Sequence, residues 1–591
     1  MAYDVLTMKR PSLKPVIILL CGLWLTLAPA GLCAAEKMTV LDKRTYKEML
    51  DYLMVDRRDI NAYRRIFKAL EKDDQAAAER EENKLKSDIL SGHVLAEKYL
   101  SKSYKSTYAE LKEWLEKYND HPQAMRIYRL AVRKEDAEKL YQPCRPPLKP
   151  SYSAYGWVDE DCSRLEPAQE KKLRAQVAQF RRYIGRGKTK MARQILEDKQ
   201  FKKLVTPQNY DIMAANLAFK YFLDNEDKLA LRWASAAAEN SGNATALWVA
   251  GLASWRLNDF KAAADYFSRL GALEDNDEWL VSAGAYWAYR AEKLLKNKKA
   301  AEKQLERAAV FKRTFYGILA NHKLGNAPEY NWKSMSYHND FDSFDYRDLL
   351  KNPALRRALV LIQVKNYALA EQELRSVYPY LDEKSQEAVL FIAAQYNMHG
   401  LAVKIARHLE DRNRDIYYDF MAYPLPEWRP KGGWKIEKSL VWAFVRQESS
   451  FRPQARSPAG ARGLMQLLPS TAAHVTKDRS LRHDRRPLLE AEFNLDIGQK
   501  YIRYLLQKDY IDGNLFYLAV AYNAGPGNLL KWKKSMKYHN DPLLFIETVP
   551  SQETRVYIER VMANYWIYQT RLKEKNKSLE AGGKNRWPVR S

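Results

Sequence analysis

The stretch ALWVAGLASWRLNDFKAAADYFSRLGAL, from Ala246 to Leu273, sets the tightest limit on what this chain can fold into. Apolar residues recur three and four positions apart on both sides of Asn258-Asp259, which reads as helix, turn, helix. The plan returns in LRRALVLIQVKNYALAEQELRSVY (Leu355 to Tyr378), with its turn at Lys365-Asn366. A looser copy is FRRYIGRGKTKMARQIL (Phe180 to Leu196). Small residues such as Ala262, Ala263 and Ala370 let paired helices approach, and Trp255, Phe260 and Tyr367 are expected to fill the space between them. One pair cannot bury its own apolar face, so neighbouring pairs must stack. Residues 40–420 therefore predict an α-solenoid, and the β-branched alternation that marks strands is nearly absent.

A break follows. YPLPEWRPKGGW (Tyr423 to Trp434) holds three prolines and two glycines, which stop helices. From Ile436 to Arg571 the pattern is a compact set of helices joined by Gly- and Pro-containing turns. The expected fold class is all-α: a superhelical solenoid, then a small helical domain. The expected divisions are a signal segment over 1–35, a superhelical domain over 36–345, a helical linker domain over 346–430, a compact domain over 431–575 and a disordered polar tail over 576–591. Whether the solenoid closes into a ring is left open by the sequence.

The N-terminus has the form of a secretory signal. Lys9, Arg10 and Lys14 are basic, Val16 to Ala28 is uncharged, and small residues near Ala35 suit cleavage. The apolar run is too short for a membrane span, which needs about 20 residues. Cleavage leaves Cys144 and Cys162, and export permits a disulfide between them. Such a bridge would contribute about 3 kcal/mol by the loop-entropy model; two free thiols are the alternative. The net charge is +25, and residues 1–35 carry three basic groups and one acid, so the exported chain keeps about +23. That balance suits an anionic partner. Export argues against nucleic acid and for a cell-wall polymer.

One carboxylate stands out. VWAFVRQESSFRPQARSPAGARGLMQLLPSTA (Val441 to Ala472) contains a single acid, Glu448. Val441, Phe444 and Val445 precede it by seven, four and three positions, on the same helical face. Pro453 prevents the helix from continuing. Burial and the negative end of the helix dipole both disfavour an ionised carboxylate there. A protonated acid near neutral pH is expected, which is the state that can protonate a leaving oxygen. Downstream, AYNAGPGNLLKW (Ala521 to Trp532) breaks a helix so as to present Tyr522 and Asn523 at a cleft wall, and FIETVPSQETRVYIERV (Phe545 to Val561) adds Glu547, Glu553 and Arg555.

Taken in order, Glu-Ser-Ser-Phe, Gly-Leu-Met-Gln with Pro469 after it, Asn494-Leu495 with Gly498 and Tyr501, Ala-Tyr-Asn-Ala-Gly-Pro, and Glu-Thr-Arg resemble the soluble lytic transglycosylase domain. That family cleaves bacterial peptidoglycan and has a goose-type lysozyme-like fold. Upstream, YWAYRAEKL (Tyr286 to Leu294) and RTFYGILANHKLG (Arg313 to Gly325) look like the superhelix of its large members. Ordinary glycosidases need two carboxylates; this family uses one. The resemblance implies that Glu448 protonates the oxygen between N-acetylmuramic acid and N-acetylglucosamine, then takes the proton of the muramyl C6 hydroxyl. A 1,6-anhydro sugar results. It further implies that Ser457, Met465, Gln466, Tyr522, Asn523 and Glu553 line the sugar cleft, with Glu547 the rival of Glu553.

No histidine shows metal-ligand spacing and no phosphate-cradling loop appears, so neither metal nor cofactor is expected. The expected partners are peptidoglycan glycan strands and cell-wall synthesis or hydrolase complexes, in the periplasm, with no stable membrane span after cleavage. Two other readings stay open: a muramidase that uses water, and a non-catalytic helical scaffold that binds peptidoglycan.

Overall fold

The computed structural model describes residues 55–134, 165–274, 276–332, 346–412 and 416–590. The expected signal segment and both mature cysteines, Cys144 and Cys162, lie outside them. Among the described residues all regular structure is helical, with isolated bridges only. None of these helices is long and apolar enough to cross a membrane.

The helix pairs form where the sequence places them. Ala244–Arg256 and Phe260–Gly271 flank the Asn258-Asp259 turn, Pro353–Val364 and Tyr367–Val377 flank Lys365-Asn366, and Pro167–Gly185 precedes Thr189–Glu197. A single turn chemistry recurs. A residue with positive φ ends the first helix (Asp73, Asn225, Asn258, Lys296, Lys365, Asn397), and the next residue starts the second. At Asp74, Asp259 and Asn366 the side chain accepts from a first-turn backbone N–H. The left-handed residue reverses the chain and the cap satisfies an orphan donor.

Alanine and glycine set the spacing. Ala263 and Ala370 are fully buried. A Cβ at Gly271 would lie 2.8 Å from the backbone nitrogen of Ala285, so the Phe260–Gly271 and Glu278–Leu294 helices touch backbone to backbone. Trp255 packs edge-on against both Phe260 (5.2 Å) and Trp287 (5.0 Å) as expected. Tyr367 does not fill an interhelical space. It begins its helix, is exposed, and stacks on Tyr396 of the following pair.

The two ends of the superhelix meet. Arg64 donates to the carbonyl of Gln363 (2.5 Å), and His93 Nε2 lies 2.7 Å from Glu373. The helices near the start of the described chain thus seat on the Pro353–Val377 pair, and the solenoid closes on itself.

The compact helical region is bolted to this frame. Tyr316 donates to Glu547 (2.6 Å), Phe315 stacks on Trp566 (5.1 Å), and Arg290 pairs with Asp541. The RTFYGIL motif therefore holds the seat, and Arg313 anchors the approach to it by donating to Asp419 (2.7 Å). The Pro-rich break is non-helical between Ala422 and Lys438 but firmly held. Gly432 N–H donates to Asp496, and Lys435 N–H donates to Gln499.

The tail expected to be disordered is not. Lys577–Gly583 is helical, and Ser578 accepts from the Trp566 indole. Leu515 N–H donates to Pro588 O, and Arg590 N–H to Gly513 O. Trp587 packs between Tyr517 (4.9 Å) and Phe545 (5.5 Å). Polar composition concealed one large aromatic with a prepared socket.

Candidate active site

Glu448 sits in the last turn of the Lys438–Ser449 helix. Val441, Phe444 and Val445 are fully buried and fix that helix in the core. The helix stops before Pro453 is reached. Ser450 and Phe451 both take left-handed φ (48° and 61°), a conformation that costs roughly 1–2 kcal/mol per non-glycine residue. The chain thus turns sharply just after Glu448, which leaves the carboxyl half-buried on the wall of a cavity of about 2140 Å³.

Tyr557 donates to Glu448 Oε1 at 2.5 Å. Burial pushes the Glu448 carboxyl up to about 7; the Tyr557 hydrogen bond opposes this, and the charge of Glu553 adds to it. Burial also holds the Tyr557 phenol well above its ordinary value, so it remains a donor. A neutral acid beside open space is thus available at neutral pH, with its donating oxygen free to face a ligand.

Glycine geometry shapes the opposite wall. Gly463 has φ +78°, and a Cβ there would lie 2.1 Å from the Leu488 carbonyl. Asn494, fully buried, accepts from Met465 N–H (2.8 Å) and donates to Arg462 O (3.0 Å) and Leu488 O (2.8 Å). This clamp sets Gln466 at φ +45° on the cavity wall, its amide donating to Gly463 O. Ser457 also lines the cavity, its hydroxyl accepting from Ala461 N–H (3.0 Å). Met465 does not reach the cleft. Its side chain is fully buried against Gly498, where a Cβ would meet its sulfur at 2.0 Å. Its carbonyl is what matters, because it accepts from the Tyr522 hydroxyl (2.8 Å).

Tyr522 packs at a tilt against Phe444 (4.6 Å) and Tyr501 (5.2 Å), with its hydroxyl turned to that carbonyl and its ring on the cavity wall. Asn523 donates to Glu553 (3.3 Å) and accepts from Thr554 (2.7 Å). Glu553 is exposed on the rim. Arg555 donates to Val549 O (2.5 Å) and stacks on Phe219 of the solenoid (4.4 Å). Glu547 is buried, and burial pushes it up to about 7 while Tyr316 bonds it. That carboxyl joins solenoid to compact domain. The basic run KDRSLRHDRRPLL folds as two short 3-10 turns pinned by buried Leu481 and Leu488, with Arg482, Arg485 and Arg486 outward.

Tyr557 is the residue the sequence reading passed over. A signal existed: it stands four positions after Glu553, on the same face of the Gln552–Leu572 helix.

In its closed superhelix, compact helical domain and half-buried carboxyl, this chain is similar to the soluble lytic transglycosylases. Residues 429–545 match the model of the Transglycosylase SLT domain. The soluble lytic murein transglycosylase of Salmonella typhimurium is 33% identical over 306 residues, 49% of this chain and 43% of that protein. The Escherichia coli protein of the same description is 30% identical over 303 residues, 49% and 43% of the two chains. The chain thus spans less than half the length of these curated relatives. In fold it is similar to the 70 kDa soluble lytic transglycosylase of Escherichia coli, with a TM-score of 0.61 and 17% identity over 90% of this chain and 99% of that one. A complex of the 70 kDa enzyme with bulgecin A gives a TM-score of 0.59.

Proposed function

We propose that this protein is a peptidoglycan lytic transglycosylase that cleaves the β-1,4 bond between N-acetylmuramic acid and N-acetylglucosamine. The observation that carries the reading is the Glu448 carboxyl, half-buried on the cavity wall and held up to about 7 with a single tyrosine donor. Glu448 gives its proton to the glycosidic oxygen as that bond breaks. The muramyl N-acetyl group stabilises the cation left at C1. The ionised Glu448 then removes the proton of the C6 hydroxyl, whose oxygen closes onto C1. Atoms balance without water: one glycosidic bond is lost, one 1,6-anhydro bond forms, and the carboxyl ends as it began. Tyr557 stabilises the ionised form by its hydrogen bond. Ser457, Gln466, Tyr522 and Asn523 hold the sugars, and Glu553 acts from the rim.

The division into a superhelical domain over 36–345, a linker domain over 346–430 and a catalytic domain over 431–575 belongs to this proposal. So do export by residues 1–35 to the periplasm, a Cys144–Cys162 bridge, and work within cell-wall complexes. The experiment is digestion of purified sacculi with mass spectrometry of the products. Anhydromuramyl ends that vanish in Glu448→Gln support the proposal. Reducing ends would mean that water attacks C1, with exposed Glu553 a candidate to activate it; release by the Glu448→Gln variant would reject both.

A further inference from the structure

The junction where the superhelix closes holds a second cluster, far in sequence from Glu448. His93, His121 and Glu373 are all buried, and each offers one donor atom, the three lying within 4.8 Å of one another. In His121 the Nδ1 faces Asp120 Oδ1 at 3.0 Å. A carboxylate accepts only, so Nδ1 carries the hydrogen and Nε2 keeps its lone pair. That Nε2 is buried and has no hydrogen-bond partner among protein groups. A bare buried acceptor is destabilising unless something satisfies it. Gly92 leaves the room for it, since a Cβ there would come within 2.4 Å of this same nitrogen.

His93 can take up the same arrangement once a metal is bound. Its Nδ1 lies 3.3 Å from the Gln123 amide, whose Oε1 is buried without a partner. Turning that amide over lets Nδ1–H donate to Oε1 when Nε2 is given to a metal. That Nε2 lies 2.7 Å from Glu373 Oε1, where by the same rule it carries a hydrogen for the carboxylate in the metal-free protein; a metal takes the place of that proton. Glu373 is held by Arg357 Nε (2.5 Å) and Nη2 (3.2 Å), and the same guanidinium reaches Asp120 Oδ2 (2.9 Å). Two imidazoles and one carboxylate converge, with each imidazole oriented through its other nitrogen and the carboxylate oriented by an arginine. That is the construction of an outer shell around a metal. Two carboxylates against one arginine leave the cluster anionic, which favours a cation.

We propose that His93, His121 and Glu373 form a site for a divalent transition metal of the zinc class, with Asp120, Gln123 and Arg357 as its outer shell. The ion staples the helix Ser91–Leu100 and the His121 turn to the Tyr367–Val377 helix, which bears Glu373 280 positions after His93. Two nitrogens and one oxygen are a donor set that suits Zn²⁺. Sequence spacing hides the site because its third ligand is so distant.

The test is titration of the chelator-treated full chain with Zn²⁺ by calorimetry, and with Co²⁺ by visible absorption. One equivalent of Zn²⁺ and tetrahedral-type Co²⁺ bands are expected. His121→Gln and Glu373→Gln should abolish both, and Asp120→Asn, which removes no ligand, should weaken Zn²⁺ about 10–100-fold. Glu448→Gln should bind like the parent, which separates this site from the cleft. No stoichiometric binding by the parent chain would overturn the proposal. So would undiminished binding by His121→Gln or by Asp120→Asn, even if one of the ligand variants failed to fold.

Discussion

Replacing Glu448 with glutamine should stabilise the protein, and by an amount that depends on pH in a defined direction. The variant keeps the shape of the side chain and its oxygen, so Tyr557 still donates to it. What disappears is the charge. Burial lifts the carboxyl from the ordinary 4.5 to about 7. A carboxyl raised in the folded state keeps its proton between those values while the unfolded chain has released it. Its penalty is absent below pH 4.5, grows as pH rises and is complete above 7. At 1.36 kcal/mol for each tenfold change, the full penalty is about 3 kcal/mol. Glutamine escapes it.

The assay is denaturant unfolding of parent and variant at pH 4.5, 6 and 8. The two should be nearly equal at pH 4.5, and the variant should lead by about 2–3 kcal/mol at pH 8. Burial also raises Glu410 and Glu547, but they are common to both proteins and cancel in the difference. A gap that stays constant across these pH values would refute the claim that Glu448 is held neutral by its surroundings, and with it the acid step.

Substitutions around the carboxyl should move the alkaline limb of the rate profile in opposite directions. Tyr557→Phe removes the bond that favours the ionised form, so the limb shifts to higher pH while the rate falls about tenfold or more. Glu553→Gln removes a charge that raises Glu448, so the limb shifts to lower pH; sacculus digestion across pH measures both. Gly498→Ala drives a Cβ into the Met465 sulfur, costs about 1–3 kcal/mol by overpacking and lowers activity through Gln466, checked by thermal unfolding beside the same digestion. Trp587→Ala empties the aromatic socket at the C-terminus and should cost roughly 2 kcal/mol in denaturant unfolding.

What could be read in the sequence was whatever depends on neighbours along the chain. Helix periodicity gave the paired helices, and Asn258-Asp259 and Lys365-Asn366 gave their turns, because both are settled within a few residues. Glu448 was legible for the same reason: Val441, Phe444 and Val445 fix its face, and burial follows. Met465 was misplaced because a motif says that a residue matters without saying which atom does. Its carbonyl meets Tyr522, and its side chain serves the core. Tyr557 was missed because its bond to Glu448 spans 109 positions. The tail was misread because composition is blind to one tryptophan with a socket waiting.

The same distinction explains why the site depends on more than the segment that carries its motifs. The match to the transglycosylase domain ends at 545, yet Glu553 and Tyr557 stand beyond it, on the Gln552–Leu572 helix. That helix packs on the Lys438–Ser449 helix, with Arg446 donating to Asn564 (2.9 Å), and it also reaches the solenoid. Arg555 stacks on Phe219, Arg560 lies over Trp279 (4.8 Å), and Trp566 stacks on Phe315. These contacts are spread over about three turns of the helix that also bears the donor to Glu448. The donor to Glu448 thus stands on a helix held from two sides, by the helix that bears Glu448 and by the superhelix. On the proposed function, the closed frame bears on the chemistry by helping to fix where Tyr557 stands beside Glu448.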